Sequence, residues 1–284
     1  MTQWTEEVDP VHGDFRVQLR VEKVLYERQT EHQHILLIEN RTYGRVLLFD
    51  GIAQVAENDE FIYHEMLTHV PVLAHGAVRS ALVIGGGDGG AVEELFKHRD
   101  IERVDLVEID EAVVEMSKQY LRSVCGDAFE DPRLRLTIGD GVEFVAESDE
   151  LYDLILVDSN DPTAETNILY SEPFYRHCAD RLAAGGVLVS QNALPFFNRD
   201  WLRKPIARLR KIFPDVGCYQ VAVPSFYGGF MAFSWASADK APRQVTRETL
   251  EARFRAADLG TGYYTPDIHR AAFALPPYVL SMLA

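Results

Sequence analysis

The segment ALVIGGGDGG, residues 81 to 90, has the pattern of a buried strand that turns sharply into a helix. Four apolar residues lead into the turn, and Gly85, Gly87 and Gly90 then follow the GxGxxG spacing. In Rossmann-type domains this spacing forms the turn that approaches a bound nucleotide. An acid, Asp88, stands among the glycines and restricts which ligand the turn can accept.

The position of Asp88 argues against a phosphate-bearing ligand. In a dinucleotide site the pyrophosphate lies over the glycine turn, where backbone N–H groups and the helix dipole favour an anion. A carboxylate about 4 Å from a phosphate would cost roughly 4 kcal/mol at an effective dielectric constant of 20. We therefore predict a cationic ligand, and a nicotinamide dehydrogenase is disfavoured.

From about residue 77, short apolar runs alternate with segments of helical length. The runs after the glycine turn are RVDLVEID (103–110), LRLTIGD (134–140), YDLILVDSND (152–161), GGVLVSQN (185–192), GCYQVAVP (217–224) and MAFSWAS (231–237). This alternation predicts an α/β domain with a mostly parallel, doubly wound sheet covered by helices on both faces. Its ligands are expected at the carboxyl ends of the strands, where the strand order reverses.

The region before residue 77 has a different pattern. FRVQLRVEKVLYERQ (15–29), HILLIEN (34–40) and GRVLLFDGIAQVA (44–56) alternate apolar and polar residues, which indicates antiparallel hairpins. A helix is predicted over NDEFIYHEMLTHV (58–70), ending before Pro71. We therefore predict an N-terminal β-hairpin domain with a connecting helix over residues 1–72, and a Rossmann-like catalytic domain over 73–284.

Acidic residues follow three of the predicted strands. Glu108 comes about twenty residues after the glycine turn, where an acid commonly binds both hydroxyls of a ribose. Asp140 either accepts from the amino group of a base or forms a turn or helix cap before the next glycine. Asp158 and Asp161 predict a site for an organic cation. A metal is the weaker alternative because no histidine accompanies them, and Asp161 before proline can also start a turn.

Composition limits the classes of partner. The 28 Lys and Arg residues against 44 Asp and Glu residues give a net charge of -16, which disfavours nucleic acids and anionic membranes and suits a cationic small molecule. Cys125, Cys178 and Cys218 form no CxxC pair and predict neither disulfides nor a zinc site. Without a signal peptide or an apolar run of about 20 residues, a cytoplasmic location is expected.

The stretch HEMLTH, from His64 to His69, is one residue longer than the zinc motif HExxH. Five helical residues place the two rings about 140° apart around the helix, so they are not expected to share a metal. No metal site is predicted. The sequence also has no GxSxG motif and no Walker lysine, which leaves a covalent hydrolase or a phosphoryl transferase without support.

Six motifs, in this order, resemble those of the polyamine aminopropyltransferases, and of the spermidine synthases in particular. They are DEFIYHEMLTHVPVLAHG (59–76), ALVIGGGDGG (81–90), VEID (107–110), GDGVEF (139–144), DSNDP (158–162) and IHRAAFALPPY (268–278). The resemblance implies a β-hairpin domain before a methyltransferase-like Rossmann domain, assembled as a homodimer or homotetramer. It also implies transfer of an aminopropyl group from decarboxylated S-adenosylmethionine, a co-substrate and not a cofactor, to putrescine, with release of methylthioadenosine.

The resemblance assigns roles to individual residues. Asp88 holds the ammonium of the donor, which has neither phosphate nor carboxylate, and this accounts for the acid in the glycine turn. Asp158 corresponds to the catalytic acid of the family. The other donor residues so implied are Gln33, Gln54, Gly85, Gly87, Glu108, Asp140 and Gly141, and the acceptor residues are Tyr63, His64, Asp161, Gln191, Phe226 and Tyr227.

Two departures from the family pattern leave the acceptor open. Where spermidine synthases continue the DP pair with an Ile-Gly-Pro stretch, this chain has Thr163, Ala164 and Glu165. Where they have a tyrosine for the far end of the diamine, it has Phe226. Putrescine is the expected acceptor, with cadaverine, agmatine or a longer polyamine as alternatives. An S-adenosylmethionine-dependent methyltransferase and a non-enzymatic polyamine sensor also stay open.

Overall fold

The computed structural model describes residues 3–8, 16–160, 166–192, 194–226 and 229–283. The described chain begins with two small antiparallel sheets. Strands β1 (Gln3–Val8) and β2 (Arg16–Val21) form a ribbon, and a four-stranded sheet follows with β3 (Lys23–Gln29), β4 (His34–Asn40), β5 (Gly44–Phe49) and β6 (Ile52–Ala56) in this order. The predicted hairpins are present, whereas β1 was not predicted. Its sequence is mostly polar, and it is a strand because it pairs with β2 along its whole length.

Helix α1 (Glu60–His75) joins the N-terminal sheets to the rest of the chain. The prediction that it ends before Pro71 is wrong. Although a proline inside a helix removes one backbone hydrogen bond, burial of the apolar side chains from 72 to 74 carries the helix one turn further. It ends at Gly76, whose φ of +79° suits a left-handed cap. The predicted domain boundary at 72/73 falls inside this last turn.

A seven-stranded sheet forms the main body of the chain, as predicted. Its strands are β7 (Ser80–Gly85), β8 (Arg103–Glu108), β9 (Leu134–Ile138), β10 (Tyr152–Asp158), β11 (Leu182–Gln191), β12 (Asp215–Ala222) and β13 (Phe230–Ser237). The spatial order is β12-β13-β11-β10-β7-β8-β9, and only the pairs of β13 with β11 and β12 are antiparallel. Strand order reverses between β7 and β10, which opens a crevice at their carboxyl ends.

Helices cover both faces of this sheet. They are α2 (Gly90–Phe96), α3 (Glu111–Tyr120), α4 (Arg122–Cys125), α5 (Gly141–Glu147), α6 (Glu172–Arg181), α7 (Arg199–Leu209), α8 (Arg247–Ala257), α9 (Pro266–Ala272) and α10 (Pro277–Leu283). Alternate residues of β10 show the two buried layers: Leu154 and Leu156 pack in one apolar cluster, and Ile155 and Val157 in another. The predicted α/β fold, a Rossmann-like domain after a small β domain, is confirmed.

Helix α1 is fixed to the C-terminal part of the chain by a buried carboxylate. Glu65 accepts hydrogen bonds from the backbone N–H groups of Gly262, Tyr263 and Tyr264 at 2.6, 2.9 and 2.6 Å. Three backbone donors that converge on one carboxylate satisfy a buried charge. The helix that leads from the N-terminal sheets is thereby held in one orientation over the main sheet.

None of the helices in the described ranges combines the length and apolar character that crossing a bilayer requires.

Candidate active site

A cleft of about 430 Å³ lies at the carboxyl ends of β7, β8 and β10 and extends to the four-stranded sheet. It is at the predicted reversal of strand order. The predicted site residues that line it are Gln33, Gln54, Tyr63, His64, Gly85, Gly87, Asp88, Glu108, Asp140, Gly141, Asp158, Gln191 and Phe226. Asp161, Tyr227 and the loop residues Thr163, Ala164 and Glu165 lie outside the described residues. The fold therefore brings together all the predicted residues that it describes, while their roles stay predictions.

The glycine turn needs glycine because other parts of the site lie against it. Gly85 has a φ of +77°, and a side chain there would overlap the backbone carbonyl of Asp158. A Cβ atom at Gly87 would come within 2.8 Å of the Glu108 side chain, and one at Gly90 would overlap the imidazole of His64. The missing side chains thus leave room for three polar groups of the cleft to approach the turn.

Glu108 is held by the turn and is fully buried. Its two carboxylate oxygens accept from the backbone N–H of Gly87 at 3.1 Å and of Asp110 at 2.9 Å. Burial disfavours the ionised carboxylate and raises the pKa of Glu108 to about 7. The two hydrogen bonds favour the ionised form and oppose this rise, but burial has the larger effect. Each oxygen keeps a second lone pair, so the carboxylate can still accept two hydroxyl donors, as a ribose diol would require.

Asp88 belongs to a chain of buried charges. The ring of His64 lies between two carboxylates, with Nδ1 2.5 Å from Oε2 of Glu60 and Nε2 3.3 Å from Oδ1 of Asp88. Burial disfavours the charged ring, but Asp88 and Glu60 outweigh it and raise the pKa of His64 well above its usual value. Burial likewise opposes the charge on Asp88, yet His64 and the N–H of Gly90, at 2.8 Å, lower the pKa of Asp88. At neutral pH we therefore expect an imidazolium between two carboxylates.

Asp158 is a half-buried acid at the end of β10, and its Oδ2 is shielded from solvent. Its Oδ1 accepts from the hydroxyl of Tyr63 at 2.5 Å, and its Oδ2 has no hydrogen-bond partner among the described residues. Burial, followed by the nearby charge of Asp88, raises the pKa of Asp158 to about 6. The pKa of Tyr63 is raised well above its usual value, by burial and then by Asp158, so its hydroxyl stays a donor. One oxygen of Asp158 is thus fixed, and the other can receive a proton.

His64, Asp88 and Asp158 offer a nitrogen and two oxygens that lie within 4.8 Å of one another. Such a group could hold a metal or an organic cation. Both ring nitrogens of His64 face carboxylates, which favours a doubly protonated ring, and an imidazolium has no lone pair for a metal. The geometry therefore favours an organic ammonium. His69 lies elsewhere, with Nδ1 3.0 Å from Nε2 of His98, so the two histidines of HEMLTH do not share a site.

Side chains from distant parts of the sequence close the cleft. Gln33, in the turn before β4, lies within hydrogen-bond distance of Asp110 and Asn160, both at 3.3 Å. Gln191, at the end of β11, accepts from the hydroxyl of Tyr170 at 3.4 Å. Asp140 caps α5 by accepting from Val142 at 2.7 Å and also lines the cleft, so both interpretations of this residue fit.

Four residues that were not predicted contact the predicted site residues: Glu60, Asp110, Asn160 and Tyr170. Glu60 could have been found, because a residue four positions before His64 lies on the same face of a helix. Asp110 is the last residue of the motif VEID and lies two positions after Glu108. Asn160 and Tyr170 meet their partners through the tertiary fold, and no local signal marks them.

The chain matches two family models over most of its length. The model described as "Spermine/spermidine synthase domain" matches residues 60–247, and that described as "Spermidine synthase tetramerisation domain" matches residues 3–57. The polyamine aminopropyltransferase of Ruegeria sp. (strain TM1040) is 46% identical, with 98% of each chain covered. Polyamine aminopropyltransferase 1 of Pseudomonas aeruginosa is 49% identical, over 93% of this chain and 92% of that one.

Solved structures are similar in fold as well as in sequence. A spermidine synthase in complex with the transition state analogue AdoDATO superposes with a TM-score of 0.93 at 34% identity, over 99% of this chain and 94% of that one. The spermidine synthase of Thermotoga maritima superposes with a TM-score of 0.90 at 32% identity, over the same shares of the two chains. The similarity covers both the N-terminal sheets and the main domain.

Proposed function

The chain belongs to the spermine and spermidine synthase family, and from that premise we propose that it converts putrescine and decarboxylated S-adenosylmethionine into spermidine and methylthioadenosine. It is a polyamine aminopropyltransferase, and the identity of the acceptor is the part proposed here. The observation that carries the proposal is the pair of neighbouring carboxylates of Asp88, within the turn between β7 and α2, and Asp158, at the end of β10 against that turn. Buried acids without enough cations of their own suit substrates that bring positive charge.

The donor fits the part of the cleft between the glycine turn and β8. We assign the ribose hydroxyls to Glu108 and Gln33, the adenine amino group to Asp140 beside Gly141, and the aminopropyl ammonium to Asp88, with Gln54 near the transferred arm. Glu108 supports this assignment because its two oxygens are already oriented by backbone N–H groups. Neither oxygen must be reorganised when the donor binds.

The reaction is an in-line displacement. The lone pair of a neutral amine nitrogen attacks the methylene carbon next to the sulfonium, the C–S bond breaks, and its electrons neutralise the sulfur. The product nitrogen then carries an extra proton, which Asp158 takes at Oδ2. The rest of the rate enhancement comes from alignment of amine, carbon and sulfur by acids at both ends of the cleft.

The burial of Asp158 makes it a better base. With ordinary pKa values near 10.4 for the amine and 3.9 for the acid, transfer of the proton would be uphill by about 9 kcal/mol. A pKa of about 6 for Asp158 narrows that gap by about 3 kcal/mol. The sulfonium of the donor lowers the pKa of the nearby amine and narrows it further.

The test is to incubate the purified protein with decarboxylated S-adenosylmethionine and putrescine and to measure methylthioadenosine and spermidine by mass spectrometry. We expect both products in equal amounts. Intact S-adenosylmethionine serves as the comparison donor. Its carboxylate would lie next to the carboxylate of Asp88, so we expect this compound to bind poorly. Failure to release methylthioadenosine with any diamine would overturn the proposal.

A second acceptor class is favoured by one observation. Phe226 lines the cleft, with its ring 6.1 Å from that of Tyr63, at the position where the family has a tyrosine for the far end of the diamine. A lost hydroxyl contact to a charged amine is worth about ten- to hundredfold in kcat/KM. Cadaverine, agmatine or spermidine could then compete with putrescine. The test compares kcat/KM for the four amines in the wild type and in Phe226→Tyr, where strong putrescine selectivity in both would exclude the alternative.

The chain is expected to assemble with copies of itself. Residues 3–57 match a model described as a tetramerisation domain, which supports an oligomer. We propose a homotetramer or homodimer in which the N-terminal sheets form contacts. Light scattering after size-exclusion chromatography, over a range of concentrations, measures the mass directly. A monomer of 32.1 kDa at micromolar concentration would contradict the proposal.

A further inference from the structure

Asp59 stands at the start of helix α1, but its carboxylate acts outside that helix. An Asp in this position ordinarily accepts from N–H groups of the first helical turn, and Asp59 makes no such bond. Its Oδ2 accepts instead from the backbone N–H of Ser225 at 2.7 Å, and its Oδ1 from the Ser225 hydroxyl at 3.1 Å. Only 6% of the residue is exposed. The buried carboxylate of Asp59 therefore binds the loop after β12 and not its own helix.

That loop forms part of the cleft wall through Phe226. Residues 223–226 make a tight turn, in which the N–H of Phe226 donates to the carbonyl of Val223 at 3.1 Å. The ring of Phe226 meets the ring of Tyr63 edge to face, at 88°. Tyr63 lies one helical turn after Asp59. The start of helix α1 therefore contacts the loop twice: Asp59 bonds Ser225, and Tyr63 packs against the ring of Phe226.

One other side chain in the described part of the chain bonds this turn. The hydroxyl of Tyr43, in the hairpin between β4 and β5, donates to the carbonyl of Pro224 at 3.3 Å. This bond is neutral and longer than the two bonds to Asp59. Hydrogen bonds to a carboxylate are roughly twice as strong as neutral ones, so Asp59 contributes most of what fixes the turn.

We propose that Asp59 is a positioning residue that sets the acceptor wall of the active site through Ser225 and Phe226. The inference rests on the proposed function and assigns acceptor selection to a side chain outside the main cleft. With the turn held, Phe226 keeps a fixed distance from Tyr63 and so limits the length of the amine that fits. With the turn released, Phe226 can move, and longer amines are no longer disfavoured relative to putrescine.

The experiment measures kcat/KM for putrescine and for cadaverine, which is one methylene longer, together with donor affinity by calorimetry. Asp59→Asn keeps the shape of the side chain and removes the charge, whereas Asp59→Ala removes both acceptors. We expect the KM for putrescine to rise and its kcat/KM to fall by about tenfold or more in Asp59→Ala. The preference for putrescine over cadaverine should fall in both variants, with donor affinity within twofold of the wild type.

Asp153→Asn is the matched control. Asp153 also accepts from the N–H and hydroxyl of a serine, Ser80, at 3.0 and 3.2 Å, but at the opposite end of the sheet from the cleft. Replacing Asp153 should leave the ratio of kcat/KM for putrescine to that for cadaverine unchanged. Ser225→Ala keeps the backbone donor, so its effect should be smaller than that of Asp59→Ala.

The outcomes separate the inference from the function on which it rests. An unchanged amine ratio in a folded Asp59→Asn variant overturns the inference, and so does an equal loss of donor affinity, which would indicate a general structural role. If Asp59→Ala does not fold, the isosteric Asp59→Asn decides. A wild-type protein that is inactive with every amine contradicts the proposed function instead.

Discussion

The hydroxyl of Tyr63 donates a 2.5 Å hydrogen bond to Oδ1 of Asp158, so helix α1 and strand β10 meet at one carboxylate. The second oxygen of that carboxylate is buried without a partner among the described residues. A buried acceptor without a hydrogen bond costs stability. Such an atom is expected where a substrate supplies the missing donor.

Asp158→Asn should lower kcat by about 10² to 10⁴-fold, because the amide can accept a hydrogen bond but cannot take a proton. Donor affinity should stay close to that of the wild type, since the proposed role of Asp158 is toward the amine and not toward the donor. Release of methylthioadenosine under saturating substrates gives kcat, and calorimetry gives the donor Kd. A variant with near-normal kcat would remove Asp158 from its assigned role.

Tyr63→Phe tests whether the orientation of Asp158 matters for the rate. The substitution keeps the ring that packs against Phe226 and deletes only the hydroxyl. We expect kcat to fall by about tenfold, a smaller loss than in Asp158→Asn, because a charged hydrogen bond and not the base itself is lost. Tyr264→Phe, which deletes a buried hydroxyl that pairs with His269 at 2.9 Å outside the cleft, is the matched control for kcat. Equal effects of the two substitutions would contradict the prediction.

Donor affinity should increase with pH from about 5 to 8. Burial raises the pKa of Glu108 to about 7 in the empty site, and we assign the two ribose hydroxyls to its ionised form. Below pH 7 the carboxyl is increasingly protonated, so the donor must compete with a proton. Calorimetric titration across this range, without amine, measures the effect. Glu108→Gln should bind the donor weakly at all these pH values. A variant that retains the wild-type pH dependence would contradict the assignment.

The unliganded protein should be more stable when its buried acids are replaced. In the folded chain the pKa values of Asp158 and Glu108 are raised to about 6 and 7. The folded state therefore binds more protons than the unfolded state between about pH 4 and 7, and the free energy of unfolding decreases as pH rises through that window. Asp158→Asn removes the contribution of Asp158 to this decrease. It should therefore raise the free energy of unfolding by about 1 to 3 kcal/mol at pH 8. The gain should vanish near pH 4.

Thermal unfolding measures that stabilisation, and Asp149→Asn serves as its control. Asp149 is fully exposed and lies 3.8 Å from Arg181 in a surface ion pair, a contact worth little to stability. Its replacement should leave Tm unchanged at both pH values. A lower Tm for Asp158→Asn at pH 8 would show that the ionised carboxylate is favourable in the folded chain.

Gly90→Ala should damage the site through His64. The added methyl group would overlap the imidazole, so either the ring leaves Asp88 or the turn shifts. Overpacking of this kind costs about 1 to 3 kcal/mol, and donor affinity should fall with it. Gly260→Ala is the control, because nothing lies within 4 Å of a Cβ atom there. Normal donor binding by Gly90→Ala would show that the contact is not needed.

Much of the fold could be predicted because the strands are marked locally. Each apolar run after the glycine turn is a strand of the main sheet, and strand ends carry Glu108 and Asp158 to the cleft. Strand β1 has no comparable signal, since its pairing with β2 and not its own polar sequence makes it a strand. Helix α1 was predicted to end too early because the local cost of Pro71 is smaller than the gain from packing the turn after it.

The contacts that refine the site are harder to predict. Asn160 meets Gln33 across 127 residues of sequence, and only the packing of the four-stranded sheet against the main domain brings them together. The bond between Asp59 and Ser225 spans 166 residues. An Asp before a helix ordinarily bonds to the N–H groups of the first helical turn, so a local pattern would name the wrong partner for Asp59. Such pairs depend on the whole topology, which no local pattern contains.

Helix α1 has a consequence for how relatives of this chain can diverge. Its consecutive residues Tyr63, His64 and Glu65 contact Asp158, Asp88 and the backbone of 262–264. Each residue advances a helix by about 100°, so inserting or deleting a single residue between Tyr63 and Glu65 would turn at least one of the three side chains away from its partner. We therefore expect a shift of one residue within this segment to separate these contacts from one another, whereas a substitution would affect only one of them.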